Sequence, residues 1–482
     1  MVRSVFKILL AAILLLVVVV LVNTFRKTSV QVGYEVSPAP PLTDSALAHF
    51  AQAISYRTIS YGDPSLFDPS QFIGFHDLLK RTYPMMHEHL QLETFEGYSL
   101  LYTWRGTDSS LKPIILMAHQ DVVPIEETTR DQWTVDPFAG TIKDNFIWGR
   151  GTTDDKINLI SICEAVEKLL AEGFRPARTV HLAFGHDEEI GGKGAKAIAA
   201  KMESMGILAE MVLDEGGIIT KEKMPGLEDR PVALLGTAEK GYLSLDLTVK
   251  ATGGHSSMPE RETAVDILSK ALVNLRAKPF PARFSEPVLG QMEALGPEMP
   301  FLQRMAFANP WLFKPLIAST FSKSGPGNAM IRTTLVPTII EAGIKDNVVP
   351  SQAVATVNMR LLPGDSIPDV VKKVNDIIGD KRVVVEPRWN IVAEPSGVSS
   401  AKGFGYQKID KIMKRSYAGT ITAPFLMIGA SDSRHFNKVS SNIIKFSPMI
   451  DPIGFHGIDE RVSLESFQTA LWFYEQLLRD QD

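Results

Sequence analysis

The longest unbroken apolar run lies at the amino end, from Ile8 to Val22, flanked by Arg3 and Lys7 before it and Arg26 and Lys27 after it. It has no polar face, which sets it apart from an amphipathic surface helix. Its length falls between a signal-peptide core and a full membrane span. Asn23, Thr24 and Phe25 follow, with no small-x-small cleavage pattern. We therefore expect residues 1–27 to be an uncleaved signal-anchor with the body outside the cytoplasm; secretion after cleavage is the alternative. Residues 28–44 are polar and carry the string SPAPPL, the texture of a stalk.

Beyond the stalk, helical and strand periodicities alternate. Ser45–Tyr56 has a helical pattern, and Pro113–Met117 (PIILM) is an apolar run of strand length. Asn158–Glu172 is helical up to its stop at Gly173; Thr179–Phe184 (TVHLAF) reads as a strand. Ala199–Met205 reads as a helix and Met211–Leu213 as a strand. Strands separated by helices predict a mainly parallel sheet with helices on both faces, an α/β domain. Near Gly241 the texture changes. Tyr242–Ala251 and Ala353–Leu361 alternate apolar and polar residues, Ala264–Arg276 and Ile367–Ile378 are helical, and Arg382–Glu386 is a strand. That order predicts a smaller antiparallel α+β domain over residues 239–395, inserted between catalytic-domain segments 45–238 and 396–482. The second segment carries a helix at Ala401–Ser416, a strand at Pro424–Ile428 and a closing helix at Ser463–Arg479. Within the insertion, Pro279–Thr334 is rich in Pro, Phe and Met. It is expected to line an acyl pocket, touch a membrane or pack as core.

Length and composition change this picture little. At 482 residues the chain exceeds one hydrophobic core, and 45% apolar with 22% charged residues is ordinary for a folded body. A net charge of −5 without a long basic run gives no reason to expect a nucleic-acid partner. The single cysteine, Cys163, excludes an intrachain disulfide and lies on a helix face with Ile160 and Val166, where core packing is expected.

Three apolar strands each run into groups that can bind a metal. PIILM leads to His119 and Asp121, TVHLAF to His186, Asp187, Glu188 and Glu189, and MVL to Asp214 and Glu215. Sites in open parallel sheets form outside the carboxyl ends of the strands, so these clusters converge on one edge. GRGTTDDK places Asp154 and Asp155 at a helix start, and His456 precedes the last helix. Singly these groups are ordinary caps, turns and solvated acids; their shared placement is what points to chemistry. A Ser–His–Asp hydrolase is disfavoured because GxSxG is absent and GASDS lacks the second glycine.

The strings MAHQDVVP, GRGTTDDK, DEEIGG, LDEGG, GGHSSMP, NVVP, NMRLLPGD and HGIDERV, in this order across the chain, resemble the dinuclear zinc exopeptidase and deacylase family. That family includes glutamate carboxypeptidase, carnosinase, acetylornithine deacetylase and aminoacylase. WGRGTTDDK, LDEGG and the anchor resemble its carboxypeptidase S and N-fatty-acyl-amino-acid hydrolase subgroup. The resemblance implies a zinc-peptidase fold with a ferredoxin-like lid or dimerisation domain and two divalent ions, zinc, or else manganese or cobalt. It implies Asp154 as the bridging ligand, His119 and Asp214 on one ion, and Glu189 and His456 on the other. The Asp154–Asp155 peptide is expected to be cis. Asp121 would orient His119, and Glu188 would be the general base and acid. His255 would stabilise the oxyanion, from a partner subunit in dimeric relatives. Arg360 would bind a substrate carboxylate, with Asn347 lining the site. The substrate expected is a short peptide or an N-acyl amino acid, cleaved beside its free carboxylate. A membrane-tethered protein that keeps the fold without catalysis would have lost some of these residues. Two departures, Ala430 and Ser431 in GASDSRHF and His186 before the acidic run, touch no expected ligand.

Overall fold

The computed structural model describes residues 2–388 and 392–480. Met1 of the expected anchor, residues 389–391 of the expected insertion and the last two residues lie outside them.

The strands with near-continuous apolar sequences form the middle of an eight-stranded sheet. Its order is Gln91–Phe95, Ser99–Trp104, Val180–Gly185, Ile114–His119, Met211–Thr220, Ile443–Ile450, Val232–Glu239 and Ile421–Met427. The four central strands, Val180–Gly185 through Ile443–Ile450, are mutually parallel. Two antiparallel strands extend one side, while the Val232–Glu239 and Ile421–Met427 pair runs against the central four on the other. Pro424, which cannot donate to a ladder, sits in the strand at that edge. Helices Lys156–Ala171 and Leu464–Arg479 pack side by side on one face, where the largest apolar cluster lies. Helix Lys193–Ser204 covers the other face through Ala195, Ile198, Ala199 and Met202. Cys163 is fully buried in the larger cluster, as its helix face implied.

The alternating segments form a second sheet with its own core. Its order is Thr334–Ala342, Gln352–Leu361, Gly241–Lys250, Val383–Pro387, all antiparallel. Helices Ala264–Ala277 and Ile367–Ile378 bury Ile267, Leu268, Val370 and Val374 against it. In chain order this is strand, helix, two strands, helix, strand. The Pro279–Thr334 stretch is helical, with Glu286–Leu295, Phe301–Ala308, Pro310–Phe321 and Gly325–Ile331 stacked beside the large sheet.

Helix Val2–Arg26 is apolar and almost wholly exposed, with only Val20 and Thr24 buried. The segment after it does not stand free. Gln31 accepts from Thr422 N at 3.1 Å, Ser37 N donates to Arg415 O at 2.8 Å, and Gln468 donates to the carbonyls of Ala39 and Pro40. Ala39 and Leu42 pack on the main core. Polar, proline-bearing sequence suits an extended chain, and here its backbone, together with the Gln31 side chain, is fastened along the body.

Candidate metal centre and cleft

Asp154 lies at the centre of the polar cluster. Its Oδ1 is 2.8 Å from His119 Nε2 and its Oδ2 is 2.6 Å from His456 Nε2. Both oxygens of one buried carboxylate thus face different imidazoles, which come from residues 35 and 302 positions away. The Asp154–Asp155 peptide is cis. His119 ends its strand, with Nδ1 donating to the Asp121 backbone carbonyl at 3.0 Å and lying 3.4 Å from the Asp121 carboxylate. Nε2 is thereby left as the free donor atom. The Asp121 carboxylate also accepts from the backbone N–H groups of Glu188 and Glu189, both at 3.1 Å, and from Ser60. One residue therefore holds the histidine, through its carbonyl, and the paired glutamates, through its carboxylate, in register.

Glu189 Oε1 lies 3.2 Å from His456 Nε2, buried and without hydrogen-bond geometry to any partner. The carboxylate of Glu215 lies 3.5 Å from His119 Nε2. Asp214, expected as a ligand, is placed differently: its Oδ2 accepts from Ser433 N at 2.7 Å and its Oδ1 from Glu215 N at 3.0 Å. The cause is a bulge. Pairing to the neighbouring strand jumps from Asp214–Lys445 to Gly217–Phe446, leaving Glu215 and Gly216 unpaired. Such an insertion re-aims side chains, and here it turns Glu215 toward His119.

The electrostatics follow from burial and from who faces whom. Burial would raise the Asp154 pKa, but hydrogen bonds from His119 and His456 hold it well below the ordinary range. His456 is pushed up to about 10 by Asp154 and then Glu189. Burial opposes protonation of His119, yet the carboxylates of Glu215, Asp121 and Asp154 raise it well above its usual value. Burial, and next Asp432, raise Glu188, whose carboxylate lies 3.8 Å from Arg434. The cluster is thus an excess of buried carboxylates balanced by two imidazoles. His119, Asp154 and Glu189 form one group whose ligand atoms lie within 4.8 Å of one another, and His119, Asp155 and Glu215 form another. Such mixed nitrogen and oxygen donors fit divalent ions, with the orphaned Glu189 oxygen left for one.

The cluster opens into a cleft of about 940 Å³ that reaches the smaller sheet. Arg360 and Tyr242 line it from that sheet, the guanidinium 4.5 Å from the ring centroid, while Arg434 lines it from the large domain. Burial lowers the Arg360 pKa from its very high ordinary value. His255 and Asn347 are brought together, with Ser256 N donating to Asn347 O at 3.2 Å, but not into this cleft. The His255 ring is exposed, with Ser257 2.8 Å from its Nδ1. The Pro279–Thr334 stretch contributes none of the cleft's lining residues.

Three residues that support the site were not singled out from sequence. Glu460 accepts from Gly151 N, Thr153 N and Thr153 Oγ1 and pairs with Arg150 at 2.5 Å. Arg150 in turn donates to the carbonyls of His456 and Gly457. This pair ties the loop carrying Asp154 to the loop carrying His456. Both residues sit inside strings noted for other members, GRGTTDDK and HGIDERV. Arg434 lies in GASDSRHF, read only for its departures. His186 is a structural residue, its Nδ1 2.7 Å from Ser99 Oγ.

Known proteins resemble this chain over most of its length. The profile described as Peptidase family M20/M25/M40 matches residues 115–480. A Dictyostelium discoideum protein named probable carboxypeptidase S-like 2 is 40% identical, covering 100% of this chain and 94% of that protein. The human N-fatty-acyl-amino acid synthase/hydrolase PM20D1 is 39% identical over 82% of this chain and 79% of its own length. Among solved structures, the M20 family metallo-carboxypeptidase Sso-CP2 of Sulfolobus solfataricus shares the fold with a TM-score of 0.65. It is 17% identical and covers 91% of this chain and 99% of that one.

Proposed function

From the premise that this chain belongs to peptidase family M20/M25/M40, and is a metallopeptidase or amidohydrolase by descent, we propose its site and substrate class. The reaction is hydrolysis of an amide bond beside a free carboxylate, in an N-acyl amino acid or a short peptide. The observation that carries this reading is Asp154, with one carboxylate oxygen toward His119 and the other toward His456.

In this reading Asp154, His119, Glu215, Glu189 and His456 would together hold two divalent ions. Zinc suits the donor set, as do manganese and cobalt. Bound there, the ions would polarise the scissile carbonyl and lower the pKa of the attacking water. Glu188, buried and raised in pKa, is suited to take that water's proton and deliver it to the leaving amine. Asp121 keeps His119 and the Glu188–Glu189 pair oriented. Arg360 and Arg434, which line the cleft from the smaller sheet and from the large domain, are placed to hold the substrate carboxylate by charge-assisted hydrogen bonds. His255 and Asn347 then serve the site of a second subunit, because the cleft of their own chain does not include them. The helix Val2–Arg26 anchors the protein in a membrane.

The test is turnover of an N-oleoyl amino acid and of a blocked dipeptide by full-length protein in detergent. We expect hydrolysis that a chelator removes and Zn²⁺ or Mn²⁺ restores, and a fall of about 10²–10⁴-fold in kcat for Glu188→Gln. Protein that binds no divalent ion would sink the site assignment. Metal-loaded protein that turns over neither substrate would sink the substrate class alone.

A further inference from the structure

The helices Phe301–Ala308 and Pro310–Phe321 are packed on one side only. Ile317, with Phe313 and Phe321 partly buried, faces a cluster that includes Ala238 and Leu426 of the large sheet. The opposite side exposes Leu302 (69%), Trp311 (58%) and Leu316 (60%), with Phe301 and Leu312 beside them. A surface helix that is apolar all round lacks the polar face water requires. No acidic residue occurs between Glu298 and Glu341, while Arg304, Lys314, Lys323 and Arg332 do.

This pair of helices is fastened to the anchor. Asn309, in the turn between them, donates to Val20 O at 3.1 Å and to Thr24 Oγ1, and its Oδ1 accepts from Asn23. Arg304 donates to Thr24 O and Lys27 O, and Phe25 meets Phe301 with ring centroids 6.0 Å apart. Val20 is seven residues before Lys27, so the turn sits roughly 10 Å up the anchor from its basic end, at 1.5 Å of rise per residue. That matches the depth, about 5–10 Å, to which interfacial helices bury their apolar face. We propose that Phe301–Phe321 is a second, monotopic membrane contact that dips into the same leaflet the anchor leaves, its basic residues reaching up to the headgroup phosphates. The proposal rests on reading Val2–Arg26 as a membrane anchor. Its opposite face packs on Ala238 and Leu426, whose strands continue to Glu239 and to Met427 in the cleft wall, so the site is held at a fixed attitude to the bilayer.

The full-length protein is reconstituted into phosphatidylcholine–phosphatidylserine vesicles, with and without lipids brominated on their acyl chains, and tryptophan emission is compared for wild type and Trp311→Phe. We expect bromine to quench part of the wild-type emission and the substitution to abolish that quenched part. Both proteins should hydrolyse a water-soluble substrate equally. Quenching that Trp311→Phe leaves unchanged, or an absence of quenching, overturns the proposal; so does a Trp311 shielded by a second copy, seen as a concentration-dependent emission shift in detergent with no bromine effect. Alkaline carbonate extraction reads the anchor separately. A chain that resists extraction but shows no Trp311 quenching keeps the anchor and overturns the second contact. A chain that carbonate releases after Trp311 quenching supports the second contact and removes the anchor.

Discussion

Asp214 and Glu215 are adjacent acids at the end of one strand, and only their surroundings separate them. The Asp214 carboxylate is occupied by two backbone N–H groups, whereas Glu215 faces His119. Glu215→Gln should therefore cost the protein one of its two bound metals, read by elemental analysis of purified protein. Asp214→Asn should keep both and lower thermal stability instead; the reverse pattern would return the ligand role to Asp214. His456 carries the pH dependence. Its pKa in the folded chain, raised from 6.5 to about 10 by Asp154 and Glu189, gives the metal-free protein stability that is complete below pH 6.5 and lost as pH rises through about 10. Because the proton must leave before the ring can coordinate, metal affinity rises across the same window. Thermal melts of chelated wild type and His456→Gln should converge between those pH values, and a constant gap would contradict the assignment. Most of this cluster was legible in sequence, since strand ends followed by His, Asp and Glu announce themselves. The choice between two neighbouring carboxylates was not, because it depends on how many residues the strand inserts.

At the scale of elements, the bulge that decides that choice needs glycine twice. Gly216 has φ of 144°, and a Cβ on Gly217 would meet the Leu234 carbonyl oxygen at 1.8 Å. Backbone on both sides cannot yield as a flexible side chain would. Gly217→Ala should cost about 1–3 kcal/mol by overpacking, measured by denaturant unfolding, and should reduce metal occupancy more than activity per bound metal. The segments with clear periodicity, among them Ile367–Ile378, match their sequence expectation closely. Met211–Leu213 has the pattern of a short strand, yet the strand runs to Thr220, because the glycines after the acids look like a stop and instead accommodate the bulge at Glu215 and Gly216. The helix Pro310–Phe321 carried no amphipathic signature, since it exposes Trp311 and Leu316 while burying Ile317.

For the whole molecule, the separation of His255 and Asn347 from the cleft of their own chain has a direct consequence. If a partner's histidine completes each site, mixing His255→Ala with Glu188→Gln protein should restore about a quarter of wild-type activity, since random pairing makes half the dimers mixed, each with one intact site. No recovery after subunit exchange would show that each chain works alone. The joint between the two halves of the large domain was not visible in sequence, because Arg150 and Glu460 are 310 positions apart and look like ordinary surface charges. That joint also sets a clock on biosynthesis. Asp154 leaves the ribosome roughly 300 residues before His456, which takes on the order of 15–60 s at about 5–20 residues per second. For most of that interval the nascent chain has its proposed general base and four of its five proposed ligands, lacking only His456, and no closed site. Hydrolytic competence arrives only when the last segment docks, by which time the apolar helix Val2–Arg26 has long since emerged.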